Sequence, residues 1–521
     1  MIRNRRGTRV ATTVFVMVVS IAMLMMTAGV PASASAHPTS PPAVTNWGHH
    51  TIVVLPNGHN DTADIQAAFN ACQSYGPWCT VELVQGTYHT GQITVYGFEG
   101  SFVGAGQGQT IIKALPNLPQ PAAAYNTPTV PFWAGMPGPA NPWPVLFTFV
   151  NGTFWISGMT MTEPYANPIV SPGWQYPAEY GDTTMTALYA VILVTGEYAD
   201  AAISQVTVNG AGGDITPFTF TGPTPSSFNL DSSITYEGMF LPSGWTDPIV
   251  DQIPLSGTFV LTDSVIHWSE SAFYMQDLLN ASVTVCFNSV NSSPIPEFVD
   301  VSNSHLTFCG NSITNVAEYT GLGGGQSYYK SDLLPSTVYV IDNYFGTNWE
   351  GSGPSLFDYG PTNFGIASTL NAVVTGNTIV SNNACKCFTA AVTDVIIDFS
   401  LASMVVSGNT LYGGGSGVYV SGTTESGVFV GNGPALVSGN TIRGADYGVW
   451  LYGAVNTTVM GNAIKDSVHY GIALTNGSSY NLIAWNLVKH SGVYDLYWDQ
   501  TGTGNNWIDN MCKTSSPPGL C

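Results

Sequence analysis

The chain has 521 residues, of which 44% are apolar, 12% aromatic and only 8% charged, and 11 basic residues against 32 acidic ones give a formal net charge of −21. Charge this sparse, with apolar content near the globular norm, excludes a disordered chain and a coiled coil. The acidic balance excludes a basic nucleic-acid binder.

The first 36 residues read as an export signal: a basic start with Arg3, Arg5, Arg6 and Arg9, an apolar run from about residue 11 to 30, and Ala34-Ser35-Ala36 as a small-x-small cleavage site. Cleavage after Ala36 predicts a secreted, extracellular protein with no membrane contact; the alternative is an uncleaved anchor, because about 20 apolar residues can span a bilayer. Beyond Arg9 seven basic residues face all 32 acids, a formal charge of −25 for the exported chain. Such a surface repels nucleic acids and polyanionic sugars unless a divalent cation intervenes. Residues 37 to 50 are expected to form a flexible segment. Asn60 to Phe69 then reads as a capped amphipathic helix, Val81 to Tyr88 as a strand and turn, and Gly104 to Ile112 as a first full coil. Between about 114 and 250 the chain carries aromatic and proline-rich insertions, with nine prolines in residues 116 to 144. They are either a lid over a groove or packing along one flank.

From residue 283 onward the chain repeats. An asparagine recurs at one position of each unit, as Asn288, Asn311, Asn343, Asn377, Asn409, Asn440, Asn462, Asn486 and Asn510, with spacings of 23, 32, 34, 32, 31, 22, 24 and 24 residues. This is a coil of 22 to 24 residues with insertions in the longer units. An apolar residue three before each asparagine and another two after it flank a strand with one buried face that ends in a turn at the asparagine. A second short strand follows in the clearest units, starting at Gly417, Gly448, Gly471 and Asp495. Coils this short leave no room for the crossover helices of a doubly wound fold, so the pattern is an all-β parallel β-helix, a solenoid spanning 51–511, with each asparagine stacked on the next as a ladder.

The eight cysteines of an exported chain favour disulfides. Cys72 and Cys79 would close a short loop after the helix, and Cys512 and Cys521 would pin the tail 512–521. Cys286 and Cys309 both lie two residues before a ladder asparagine, so stacking brings them within disulfide range; two buried thiols are the alternative. Cys385 and Cys387 stay ambiguous between a strained bond and a metal-binding pair.

The segment from Asn60 through Ile112 resembles the start of the right-handed parallel β-helix enzymes of the pectin-lyase-like superfamily, and the Gly-Asn coils are similar to the carbohydrate-binding and sugar-hydrolysis repeats of secreted β-helix proteins. The resemblance covers about residues 51 to 510. It implies a right-handed single-stranded solenoid whose N-terminal helix plugs the open end of the core, and a polysaccharide partner. It is specific for architecture and weak for activity, because the scaffold carries many functions.

Outward positions of the second strand set Tyr274, Tyr419, Trp450 and Tyr497 along one side as candidate substrate-binding rings; stacking on sugar rings and burial under loops are the two readings. Asp277, Asp300, Glu318 and Asp358 are the candidate catalytic acids, since glycoside hydrolysis needs two carboxylates roughly 5–10 Å apart. Each taken singly also fits an ordinary exposed acid. His267, His305, His469 and His490 occupy different places in the coil and make no triad or metal site. The Gly-His-Gly and Arg-x-Lys motifs of pectin hydrolases are missing, and Arg443, the single arginine beyond the leader, sits in a plain coil where a lyase would need its base. The expectation is a monomeric protein that binds or hydrolyses a neutral or weakly charged polysaccharide without a cofactor. A non-catalytic adhesion or structural β-helix is the alternative, and a lyase using Ca2+ the third reading.

Overall fold

The computed structural model describes residues 50–115, 145–162, 188–209, 230–237, 239–240, 252–253, 255–267, 271–291, 295–314, 320–321, 336–346, 354–356, 370–380, 396–397, 403–422, 424–425, 428–429 and 434–521. The leader 1–36, most of the segment 37–50, the proline-rich stretch 116–144, Cys385 and Cys387 lie outside the described residues. No helix among the described residues is long and apolar enough to cross a membrane.

The N-terminal helix, Thr62–Tyr75, forms as the sequence predicts. Its apolar residues at positions 65, 68, 69 and 72 recur at helical spacing, so Ile65, Ala68, Phe69 and Cys72 all face inward and are buried. Phe69 drives into the end of the solenoid, with ring centroids 5.2 Å from Phe98, 5.1 Å from Phe102 and 5.8 Å from Phe149. The Cys72–Cys79 disulfide ties the helix to the first coil. The cap differs in detail from expectation. Asn60 Oδ1 accepts the Thr62 N–H at 3.1 Å, while the fully buried Asp61 carboxylate turns away from the helix to accept the Asn57 N–H at 2.7 Å and the His89 N–H at 2.8 Å.

Tyr88, also fully buried, donates its hydroxyl to the carbonyls of Val54 at 2.7 Å and Val84 at 3.1 Å. Burial pushes its phenol up to about 12, with the Asp61 charge adding to it. A folded-state value raised above the unfolded one near 10 contributes stability that is whole below pH ~10 and is lost as pH climbs towards about 12. Tyr88→Phe is therefore expected to lose about 1 kcal/mol at neutral pH from the missing hydrogen bonds. It should also show a shallower alkaline decline than the wild type, read as the difference between two urea-denaturation series against pH.

From the cap onward the chain winds as a right-handed parallel β-helix. Among the described residues twenty-eight strands share one sheet and eight another, and within these two sheets strands pair in parallel from one coil to the next. Within the stretch 114–250, Val145–Thr162 and Leu188–Asn209 are long strands paired with each other along much of their length. The core is a set of apolar columns. Val285, Phe308, Val340, Val374, Val406, Val437, Val459 and Ile483 stack in register and are buried. The two cysteines at 286 and 309 are register partners and form a disulfide with Cα atoms 4.5 Å apart; Cys512 and Cys521 are also bonded.

The asparagine ladder is continuous from Asn288 to Asn510. In each step the side-chain oxygen of the next asparagine accepts both the backbone N–H and the Nδ2–H of the one before, as when Asn311 Oδ1 takes Asn288 N at 2.9 Å and Nδ2 at 3.0 Å. The second Nδ2 proton goes to a carbonyl of the preceding coil, Leu261 O at 3.0 Å for Asn288. Every buried donor at this turn is thereby satisfied by an identical neighbour. The residue just before each asparagine is left-handed, with φ of 59° to 69° at Gly310, Gly376, Gly408, Gly439 and Gly461. This backbone requirement is the reason for the Gly-Asn pair, since glycine adopts it without steric cost.

Candidate functional site

The eight-stranded sheet contains Ser416–Ser421, Tyr447–Tyr452, Tyr470–Thr475 and Tyr494–Trp498. Alternation sends Val418, Val420, Val449, Leu451, Ile472, Leu474 and Leu496 into the core. The tyrosine that opens three of these strands is followed by glycine in two, because the next position presses on the neighbouring strand: a Cβ at Gly448 would sit 2.4 Å from Ile464 Cγ2, and one at Gly471 2.1 Å from Val488 Cγ1.

Two aromatic columns result. Tyr447, Tyr470 and Tyr494 are register partners in one; Tyr419, Trp450, Ala473 and Tyr497 form the other. The single row expected from the sequence is thus broken at Ala473, and the neighbouring column closes the break. Tyr470 stacks on Tyr497 at 4.5 Å and 19°, and Tyr447 on Trp450 at 4.6 Å and 16°. Tyr419 leans on Trp450 at 5.0 Å, Tyr452 meets Trp450 edge-on at 5.7 Å, and Tyr494 runs nearly parallel to Tyr470 at 9°. Trp450 Nε1 donates to Thr475 Oγ1 at 2.9 Å. All seven rings are partly exposed, so they form one contiguous platform across four coils. Burial pushes the Tyr447 and Tyr470 phenols up, with neighbouring tyrosines adding to both; both hydroxyls therefore stay neutral donors and acceptors at ordinary pH.

Tyr447, Tyr452, Tyr470 and Tyr494 are not singled out by the sequence pattern, which starts these strands one residue late, at Gly448, Gly471 and Asp495, and stops short of Tyr452. The aromatic residue immediately before each of these starts, at 447, 470 and 494, is the available signal. Tyr274 lies on a strand of the larger sheet, Ser271–Cys286, with its backbone paired to Thr235 and Glu297.

Of the candidate acids, two fall on neighbouring strands. Gln276 pairs with Val299 and Leu278 with Val301, which sets the backbones of Asp277 and Asp300 opposite each other. Glu318 and Asp358 lie outside the described residues. Among the described residues no three His, Cys, Asp or Glu side chains come together as a metal site. Burial lowers the His267 imidazole, His469 Nδ1 lies 3.8 Å from Asp446, and His490 Nδ1 lies 3.4 Å from Asp466. The buried Asp495 holds the C-terminal tail, accepting the N–H groups of Ser491, Lys513 and Thr514.

Coils, ladder and cap helix together define a single-stranded right-handed parallel β-helix. Residues 395–513 match the family model described as "Right handed beta helix region". The chain is also similar to solved structures at low identity. The catalytic unit of the thermostable GH87 alpha-1,3-glucanase from Streptomyces thermodiastaticus strain HF3-3 shares 12% identity over 91% of this chain and 71% of that one, with a TM-score of 0.40. The periplasmic alginate epimerase AlgG shares 11% over 83% and 77%, with a TM-score of 0.37. The Dettilon tailspike protein shares 11% over 89% and 68%, with a TM-score of 0.34. No curated protein sequence matches the chain.

Proposed function

We propose that the protein is exported and binds a neutral or weakly charged polysaccharide on the seven-ring platform. The observation that carries this reading is the continuity of the partly exposed rings from Tyr419 to Tyr497 across successive coils. Sugar rings present apolar C–H faces that stack on aromatic faces, and their hydroxyls find partners in the tyrosine hydroxyls around them. The 36-residue leader and the three disulfides support export to an oxidising compartment.

Turnover is the second reading, favoured by one observation. The backbones of Asp277 and Asp300 oppose each other on neighbouring parallel strands, which puts two acids, the residue type that glycoside hydrolysis uses in pairs, at one register position. One carboxylate would attack the anomeric carbon while the other protonates the departing oxygen, and water would then release the sugar.

One experiment addresses both readings: affinity electrophoresis and reducing-sugar release on a panel of polysaccharides. Trp450→Ala and Tyr470→Ala are each expected to weaken binding about tenfold, the size of one lost stacking contact. Undiminished binding in both variants would refute the platform. If sugar is released, Asp277→Asn and Asp300→Asn should each lower the rate at least ~100-fold. Full activity in both would remove the pair, and unsaturated products formed only with calcium would replace hydrolysis by a lyase reaction.

A further inference from the structure

Three of the seven basic residues beyond Arg9 stack on one another. Arg443, Lys465 and Lys489 each end a short strand, and Arg443 is the register partner of Lys465, and Lys465 of Lys489. All three are exposed. Neighbouring parallel strands stand ~4.8 Å apart, so three cations leave the surface within about 10 Å. Like charges directly opposite each other across a sheet repel, and a chain with 32 acids has ample means to pair them. Asp466 alone does so among the described residues, taking Arg443 Nε at 3.0 Å and lying 3.4 Å from His490. Neither Lys465 nor Lys489 has a carboxylate partner there.

The column borders the ring platform. Tyr447, Tyr470 and Tyr494 begin the aromatic strands four or five residues after Arg443, Lys465 and Lys489 respectively. The intervening turns are bonded coil to coil: Val468 N–H donates to Ala445 O and Gly492 N–H to Ser467 O, both at 2.9 Å. His469 bridges the border, stacked on Tyr447 at 5.9 Å and 3.8 Å from Asp446. Cations and rings are therefore held in fixed relation on three consecutive coils.

We propose that this column is an oxyanion site for carboxylate or sulfate groups of the glycan whose sugar rings lie on the platform, so that the ligand is a sparsely acidic polysaccharide and not a neutral one. The proposal rests on the polysaccharide reading above. Lysine and arginine heads are the natural partners of such groups. The surrounding net negative charge repels a dense polyanion, while within a Debye length of ~8 Å the column attracts a few isolated anionic groups.

The test is affinity electrophoresis of the full chain against lightly carboxymethylated dextran, lightly sulfated dextran and neutral dextran at low and high salt. The wild type is expected to bind at least one acidic probe about tenfold tighter than dextran, with the advantage shrinking as salt rises. Lys465→Gln/Lys489→Gln should lose roughly tenfold on that probe, as expected for two exposed charge contacts, and nothing on dextran. Lys465→Arg/Lys489→Arg should retain binding, and the two acidic probes tell carboxylate from sulfate. Equal binding of dextran by the wild type, or acidic binding undiminished in the glutamine variant, overturns the proposal. Trp450→Ala separates the two failures: acidic binding lost there but kept in the glutamine variant removes the column and leaves the platform. Binding kept in Trp450→Ala but lost in the glutamine variant removes the platform and leaves the oxyanion site.

Discussion

Asn440→Ala is expected to cost the solenoid about 3–5 kcal/mol, far above the effect of an ordinary surface substitution. The side chain is buried and makes four hydrogen bonds. Its oxygen accepts Asn409 N and Nδ2, both at 3.0 Å, and its Nδ2 donates to Val406 O at 3.0 Å and Asn462 Oδ1 at 2.9 Å. Alanine removes all four at once and leaves a backbone N–H, an amide proton and a carbonyl without partners where water does not reach, each costing about 1–3 kcal/mol before relaxation. Asn510→Ala should lose less. Asn510 accepts from Asn486 and donates to Ile483 O but has no asparagine after it, and it is somewhat more exposed. Urea denaturation of the two variants, with hydrogen exchange at the Asn409 amide, checks both statements. A cost below about 1 kcal/mol at Asn440 would mean that the ladder is incidental to stability.

Phe69→Ala is the second large effect, about 3–5 kcal/mol for emptying a fully buried phenylalanine site. The ring is the centre of an aromatic group that includes Phe98, Phe102 and Phe149. A parallel β-helix has an open end whose unpaired strand edge and core would otherwise meet solvent or another molecule. Loss of the ring is therefore expected to show as aggregation in light scattering as well as a lower denaturation midpoint, even with Cys72–Cys79 still tethering the helix. Asn70→Ala, on the exposed face of the same helix, should change neither. If Phe69→Ala shows no added scattering and an unchanged midpoint, the helix is not the plug.

Much of the solenoid is legible in the residue order because one turn recurs with the same two demands, a left-handed residue and then a ladder asparagine. Where other residues meet the first demand the signal thins: Phe287, Asp342, Trp485 and Asp509 all have positive φ, and only the asparagine keeps the register visible. At the head of the ladder the signal fails. Ser264 takes the place of the asparagine there, donating its N–H to Asn288 Oδ1 at 3.0 Å while its hydroxyl accepts the Val206 N–H at 3.3 Å. A serine has no periodic mark to distinguish it.

The sequence by itself determined the coil length and the ladder and marked the N-terminal helix and three candidate cysteine pairs, because each depends on chemistry repeated at a local turn or carried by a short segment. Only the tertiary structure decided which outward side chains meet. The Tyr470–Tyr497 stack, the rings closing over Ala473 and the column of Arg443, Lys465 and Lys489 are contacts between residues 22 to 27 positions apart in sequence. Their register depends on how many residues each turn inserts, and a shift of one residue sends a strand side chain to the opposite face.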